Sequence, residues 1–305
     1  MHERLINLEN GECWNVLEAG QGLPLVFLHN GGGTLWNWTH QLEYFAGSYR
    51  VIAVDLPGFG RSERPITPLS LQRYAHGFAL LLDRLELERP VLIGNCIGAS
   101  IALEVALRSP QRISGLAVFN LCGGLKMLPS DLAFWAGWRP RARWLQRLHE
   151  TLFGLVGHPA LQRLAAQRMY AHGQPEFPAA LKRQVRAERR DPRLRGSLYR
   201  LVLGLESFNV FTQVQHKPED FSPVLLGWGA QNCTLEPRWA EVIAQWLQPE
   251  RLWLIPQAGH LPMYEQPVAF NQALEEFLNH VITCWRLNEE NRPARRGHEG
   301  RLCQE

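Results

Sequence analysis

The chain reads as an α/β protein: a mostly parallel central sheet flanked by helices, with a helical insertion before the last strands. Three observations predict this. Apolar strands alternate with helical patterns over the first 120 residues, about a hundred residues then pass without a convincing strand, and the alternation returns at Pro223. Strands this apolar belong to a parallel sheet covered on both faces.

The elements follow in order. Pro24–His29 (PLVFLH) reads as a buried strand, Leu35–Phe45 has helical spacing, and Val51–Asp55 (VIAVD) is a second strand. Leu71–Leu87 is a long amphipathic helix with Ser70 as its N-cap. Val91–Gly94 is a strand, Ile97–Arg108 a helix that ends before Pro110, and Ile113–Asn120 a further strand. After the insertion come a strand at Pro223–Trp228, a helix around Pro237–Trp246, a strand at Arg251–Ile255 and a helix at Pro267–Trp285. The domain reading is a first core part over 1–120, a helical cap over 121–217, a second core part over 218–287, and a polar tail over 288–305 that is expected to be disordered.

The 305 residues suffice for one large domain, and 46% hydrophobic with 20% charged residues is ordinary for a globular chain. A net charge of +3 gives no argument for nucleic acid. Met1–Gly20 has no apolar core of the secretory kind, and no apolar run approaches membrane-spanning length, so a cytoplasmic protein without membrane partners is expected. Six cysteines (Cys13, Cys96, Cys122, Cys233, Cys284, Cys303) are scattered without a C-x-x-C pair, which argues against zinc and against a disulfide framework. No metal or other cofactor is expected. Between Lys126 and Lys217 there are 16 Lys and Arg against 6 Asp and Glu. That excess is either a solvated helix face or a docking surface for an anionic partner, such as an acyl carrier protein or coenzyme A.

The chemistry concentrates in LIGNCIGAS, Leu92 to Ser100. A cysteine between Gly94 and Gly98, at a strand-to-helix junction, sits on a sharp turn that exposes the sulfur above the sheet. The glycines are needed because a Cβ there would strike the neighbouring strand or helix. The turn aims the Ile97 N–H at the reacting oxygen, and the helix start adds partial positive charge.

These residues resemble the α/β-hydrolase superfamily. Gly94-Asn95-Cys96-Ile97-Gly98 is similar to its nucleophile elbow, with Cys where most members have Ser or Asp. Leu28-His29-Asn30-Gly31-Gly32-Gly33 resembles the loop that gives the second oxyanion N–H, here that of Gly31, with Asn30 in place of a usual Gly. Asp55 to Ser62 (DLPGFGRS) resembles the D-x-P-G-x-G-x-S turn, and Ala258-Gly259-His260 with Pro262 resembles the catalytic histidine loop. The resemblance implies an α/β-hydrolase fold with a cap domain and the catalytic residues Cys96 and His260.

The third member departs. Where the family's acid usually stands this sequence has Asn232, the alternative acid position holds Asn120, and the nearest carboxylate downstream is Glu236. A Cys-His-Asn set is chemically coherent. A thiol, with a reference pKa of about 8.5, needs less help than an alcohol, and an amide oxygen from Asn232 would hold the imidazole in the right tautomer. Sulfur also excludes alkyl-carbon substrates, because the thioether formed would resist water. The function expected is therefore hydrolysis or acyl transfer on an ester, lactone or thioester through an acyl–Cys96 intermediate. His260 is base and then acid, Asn232 orients it, and Gly31 and Ile97 form the oxyanion hole. Two rivals stand beside it: a non-catalytic ligand receptor on the same fold, and an esterase in which Glu236 supplies the acid. The other five cysteines are expected to be inert packing residues.

Overall fold

The computed structural model describes residues 1–138, 143–154, 169–172, 192–209 and 221–290. Its centre is one eight-stranded sheet: β1 (His2–Asn7), β2 (Cys13–Ala19), β3 (Pro24–Leu28), β4 (Arg50–Asp55), β5 (Val91–Asn95), β6 (Gly115–Phe119), β7 (Val224–Gly229) and β8 (Arg251–Ile255). The spatial order is β1-β2-β4-β3-β5-β6-β7-β8, antiparallel across β1–β2 and β2–β4 and parallel from there on. The predicted α/β architecture is therefore observed, with an inserted region before the last strands.

Burial explains which strands were legible. Every residue of β5, β6 and β7 is buried, and such strands read as continuous apolar runs. Two further strands stand before the first expected one. β1 is an edge strand with four of its six residues exposed, and it holds β2 partly through an Arg4–Glu18 ion pair (3.1 Å). A charged, solvent-facing edge carries little apolar signal.

The helices cover both faces: α1 (Thr39–Phe45), α2 (Leu71–Arg84), α3 (Ile97–Arg108), α4 (Ser130–Gly137), α5 (Arg143–Gly154), α6 (Pro192–Gly204), α7 (Arg238–Leu247), α8 (Pro262–Glu265) and α9 (Pro267–Glu290). The Ser70 side chain accepts from the Arg73 N–H, the cap predicted for α2. One core layer joins α2, α3 and α7 to the sheet around Trp14, Phe78 and Trp228. The other joins α1 and α9 around Phe27, Trp38 and Phe270. Helix α9 continues through Glu290, past the expected start of the tail, and 291–305 fall outside the described residues.

Between Leu121 and Lys217 the described regular elements are helical, including α4, α5 and α6. Most of the basic residues counted in this region lie outside the described residues, and the docking-surface reading lies there with them. Among the described residues no helix is long and apolar enough to cross a membrane.

Candidate active site

The residues singled out from the sequence lie at the C-terminal edge of the parallel strands, where open α/β sheets bind ligands. Gly31 follows β3, Cys96 follows β5, Asn232 follows β7, and His260 comes after β8.

Cys96 has φ 56° and ψ −116°. A residue with a Cβ keeps such a conformation only where its surroundings enforce it. Here the Cys96 N–H donates to the Phe119 carbonyl (2.9 Å), and the Ser100 N–H and hydroxyl both donate to the Cys96 carbonyl (3.2 Å each). The flanking glycines are required by close approach, as the spacing predicts. A Cβ on Gly94 would lie 2.5 Å from the Gly98 and Ala99 backbone, and one on Gly98 would lie 2.4 Å from the Leu28 carbonyl oxygen.

The Ile97 and Gly31 N–H groups both act on the Cys96 sulfur in the direction that favours its thiolate. The loop carrying Gly31 is held by His29, whose Nε2 accepts from the Leu56 N–H (2.9 Å) and whose Nδ1 donates to the Asn30 carbonyl (2.7 Å). Asn30 closes the loop by donating to the Gly31 carbonyl (3.1 Å) and accepting from Asn37 (2.7 Å). The DLPGFGRS turn is structural. The Asp55 carboxylate accepts from the N–H groups of Leu35 (2.8 Å) and Arg61 (2.9 Å) and from the Asn15 side chain (2.8 Å). The insertion reaches over this edge: the space above Gly31 is closed by Leu201, and that above Gly32 by Leu198, both on α6.

The sulfur has a further partner that the sequence reading set aside as inert. The Cys122 thiol shares a hydrogen bond with Cys96. That bond, with burial, pushes the Cys96 thiol well above its ordinary range, against the pull of the Ile97 and Gly31 N–H groups. The same bond lowers Cys122. Among the described residues, no hydrogen bond joins the Cys96 sulfur to the His260 ring. The signal for Cys122 was topological. β5 and β6 are parallel neighbours, so residues just past their ends meet.

His260 is buried, and burial lowers its pKa to about 4. It is set in a polar cluster of three asparagines. Asn95 and Asn120 both donate to the His260 carbonyl (3.0 and 3.1 Å). Asn232 reaches the ring, with its Nδ2 3.2 Å from His260 Nδ1. Glu236 is half exposed and pairs with Arg238 (2.8 Å), and among the described residues it makes no hydrogen bond to His260. The esterase reading built on Glu236 thus finds no support in the geometry.

One expectation changes. The sequence reading has Asn232 offering its amide oxygen to the imidazole, but the nitrogen faces it. The cause is local. Asn232 Oδ1 is already taken by the N–H groups of Thr234 (2.9 Å) and Leu235 (3.0 Å). Its Nδ2 also donates to Asn120 Oδ1 (2.9 Å), which accepts in turn from the Gly229 N–H (3.0 Å). Backbone donors cannot reverse, so the chain of amides has one consistent orientation. An amide donor at Nδ1 places the ring proton on Nε2.

Glu265 is a positioning residue that the sequence reading missed. Its carboxylate accepts from the N–H groups of Gly259 (3.0 Å), Leu261 (3.1 Å) and Ala171 (2.7 Å), and the His260 N–H donates to the Met169 carbonyl (2.7 Å). The histidine loop is thereby tied to the inserted region. Burial raises the Glu265 pKa, while these N–H groups lower it. Glu265→Ala leaves three donors without this acceptor, and a loss of about 2–4 kcal/mol is expected. Thermal unfolding measures that loss, and the amide resonances of Gly259 and Leu261 report whether the loop itself has moved.

A cysteine elbow, two N–H groups converging on its sulfur and a histidine beyond the last strand define a protein of the α/β-hydrolase type. Residues 24–267 match the family described as alpha/beta hydrolase fold, and the chain belongs to that family. It is similar to a 2-hydroxymuconate semialdehyde hydrolase of Pseudomonas sp. (strain CF600), at 29% identity over 87% of this chain and 89% of the relative. It is also similar to a 2-hydroxy-6-oxo-2,4-heptadienoate hydrolase of Pseudomonas putida, at 27% identity over 89% and 94%. Among solved structures, a bacterial membrane phospholipase A superposes with a TM-score of 0.70 at 25% identity, covering 92% of this chain and 86% of that one.

Proposed function

We propose that the protein is a hydrolase of small-molecule acyl esters, lactones or thioesters that works through an acyl–Cys96 intermediate. The observation that carries this reading is the convergence of the Ile97 and Gly31 N–H groups on the Cys96 sulfur, held in a strained elbow. Donors that meet at a nucleophile also meet the oxygen of a carbonyl bound to it. The relatives named as hydrolases support the reaction class.

In this mechanism the Cys96 thiolate adds to the carbonyl carbon. The oxygen becomes an oxyanion held by Gly31 and Ile97, and the intermediate collapses by expelling the leaving group. Water then adds to the acyl–Cys96 carbonyl, the C–S bond breaks, and the carboxylate and the Cys96 thiolate are released as the water's two protons pass to solvent. His260 enters as the neutral imidazole, since its pKa of about 4 leaves it unprotonated at neutral pH. The Asn232 donor keeps the ring proton on Nε2, so the resting ring offers a proton rather than a lone pair on that side. That weak base favours a leaving group that departs without a proton, and a thioester's thiolate is the better case. An acyl carrier or coenzyme A bound by the basic insertion is the matching partner, and other nucleophiles than water would make the same intermediate an acyl-transfer step. No metal or redox cofactor enters these steps.

The Asn232 orientation favours one second reading, a receptor that binds carbonyl ligands without turnover. Trapping separates the two. Incubation with activated acyl esters and with a panel of acyl thioesters, followed by intact mass, is expected to show a single acyl adduct on Cys96 that is absent from Cys96→Ala. An unchanged mass together with saturable ligand binding would establish the receptor instead.

A further inference from the structure

The Cys96–Cys122 contact lies outside the hydrolytic chemistry. The Cys122 N–H donates to the Cys96 carbonyl (3.4 Å), and the Ser100 hydroxyl bridges the Cys96 and Cys122 carbonyls at 3.2 and 2.7 Å. The two thiols also interact, each shifting the ionisation of the other. The Cys122–Cys96 backbone bond sets the two residues side by side just past the ends of the parallel neighbours β5 and β6, and a disulfide requires Cα atoms about 4.4–6.8 Å apart. Both cysteines are unpaired here, Cys96 partly exposed and Cys122 buried. Among the other cysteines described, Cys13 opens β2, Cys233 is exposed and Cys284 lies on α9, and among the described residues none of these three hydrogen-bonds a second thiol.

We propose that Cys96 and Cys122 are a peroxide-oxidised pair that closes to a reversible intramolecular disulfide and so withdraws the nucleophile. The accessible Cys96 thiolate attacks one oxygen of a hydroperoxide. The O–O bond breaks, Cys96 becomes a sulfenic acid, and the peroxide leaves as an alcohol, or as water from hydrogen peroxide, taking up a proton. The Cys122 thiolate then attacks the Cys96 sulfur. The S–S bond forms and the hydroxyl departs with the thiol's proton as water. Two electrons pass from the pair of sulfurs to the peroxide, and a dithiol reductant returns them by exchange. Cys122 is suited to resolve the sulfenic acid because it is walled off from solvent, touches the sulfur that reacts first, and ionises more readily beside it. The disulfide is independent of the hydrolytic reading; only the consequence for turnover rests on it.

The test uses the full reduced chain and hydrogen peroxide. Wild type is expected to lose two hydrogens in mass, to yield a Cys96–Cys122 cross-linked peptide, and to be restored by dithiothreitol. Cys122→Ser, with Cys122→Ala as a second variant in case one folds poorly, is expected to trap dimedone on Cys96 and then to proceed to the sulfinic acid, which dithiothreitol does not restore. Recovery in these variants should fall at least about tenfold below wild type. Wild type that takes up oxygen at Cys96 while Cys122 remains open to alkylation after unfolding would overturn the proposal, even if acyl trapping on Cys96 succeeds. A clean disulfide in a chain that never takes an acyl group would uphold it while removing the hydrolytic reading.

Discussion

Cys96→Ser is expected to be as inactive as Cys96→Ala, with kcat/KM on an acyl thioester down by about 10^3 or more, or about 4 kcal/mol of transition-state stabilisation. The substitution is nearly isosteric, so elbow geometry and substrate binding should survive. The loss comes from the proton. A serine hydroxyl needs a base at the moment of attack, and the ring nitrogen that would serve, His260 Nε2, carries a proton because Asn232 donates to Nδ1. A thiol ionises unaided in a usable pH range, helped here by two N–H groups on its sulfur and by the start of α3. Wild-type rates should accordingly climb with pH through neutrality into the alkaline range, because the hydrogen bond to Cys122 and burial hold the Cys96 thiol above its ordinary value. Stopped-flow acylation of both variants across pH checks this. A serine variant within tenfold of wild type would mean that His260 works as a strong base after all, and would return the Asn232 side chain to the opposite orientation.

The sequence made the frame of the site legible and left its polarity unread. G-x-C-x-G worked because its glycines answer to backbone contacts at Leu28 and Ala99 that admit no other side chain. Apolar runs gave β3 to β7 because burial on both faces leaves little room for charge, and they gave β8 although that edge strand is largely exposed. The edge strand β1 escaped because an exposed ladder needs no such runs, and β2, interior to the sheet, escaped because Asn15 and Glu18 interrupt its apolar residues. Asn232 was found by position, but its facing was not, because it depends on the Thr234 and Leu235 N–H groups and on an amide relay through Asn120. Cys122 was set aside and Glu265 missed for the same reason: each acts through a neighbour that only the folded structure supplies.

Asn232→Asp is the strongest expected gain. A carboxylate oxygen in place of Nδ2 would accept from Nδ1, move the ring proton there, and free the Nε2 lone pair for the thiol. In serine hydrolases the reverse change, acid to amide, costs about 10^4 in kcat because the ring settles in the wrong tautomer. Thiol chemistry depends less on the base, so a gain nearer tenfold at neutral pH is expected here, with a plateau that wild type lacks. The carboxylate also raises the His260 pKa from about 4 towards the ordinary value, which NMR of the ring protons would record. Linkage gives a second readout. With a folded pKa below the unfolded one, wild type binds fewer protons at His260 when folded, so its stability falls as the pH drops from about 6.5 through about 4, by up to about 3 kcal/mol. Raising the folded pKa should shrink that acid loss. The new oxygen meets Asn120 Oδ1, which the Gly229 N–H holds in place. About 1–2 kcal/mol of stability at neutral pH should therefore be lost while the rate rises. If the rate profile and the ring titration of Asn232→Asp both superimpose on wild type, the amide does not set the tautomer, and the neutral, proton-donating His260 must be given up.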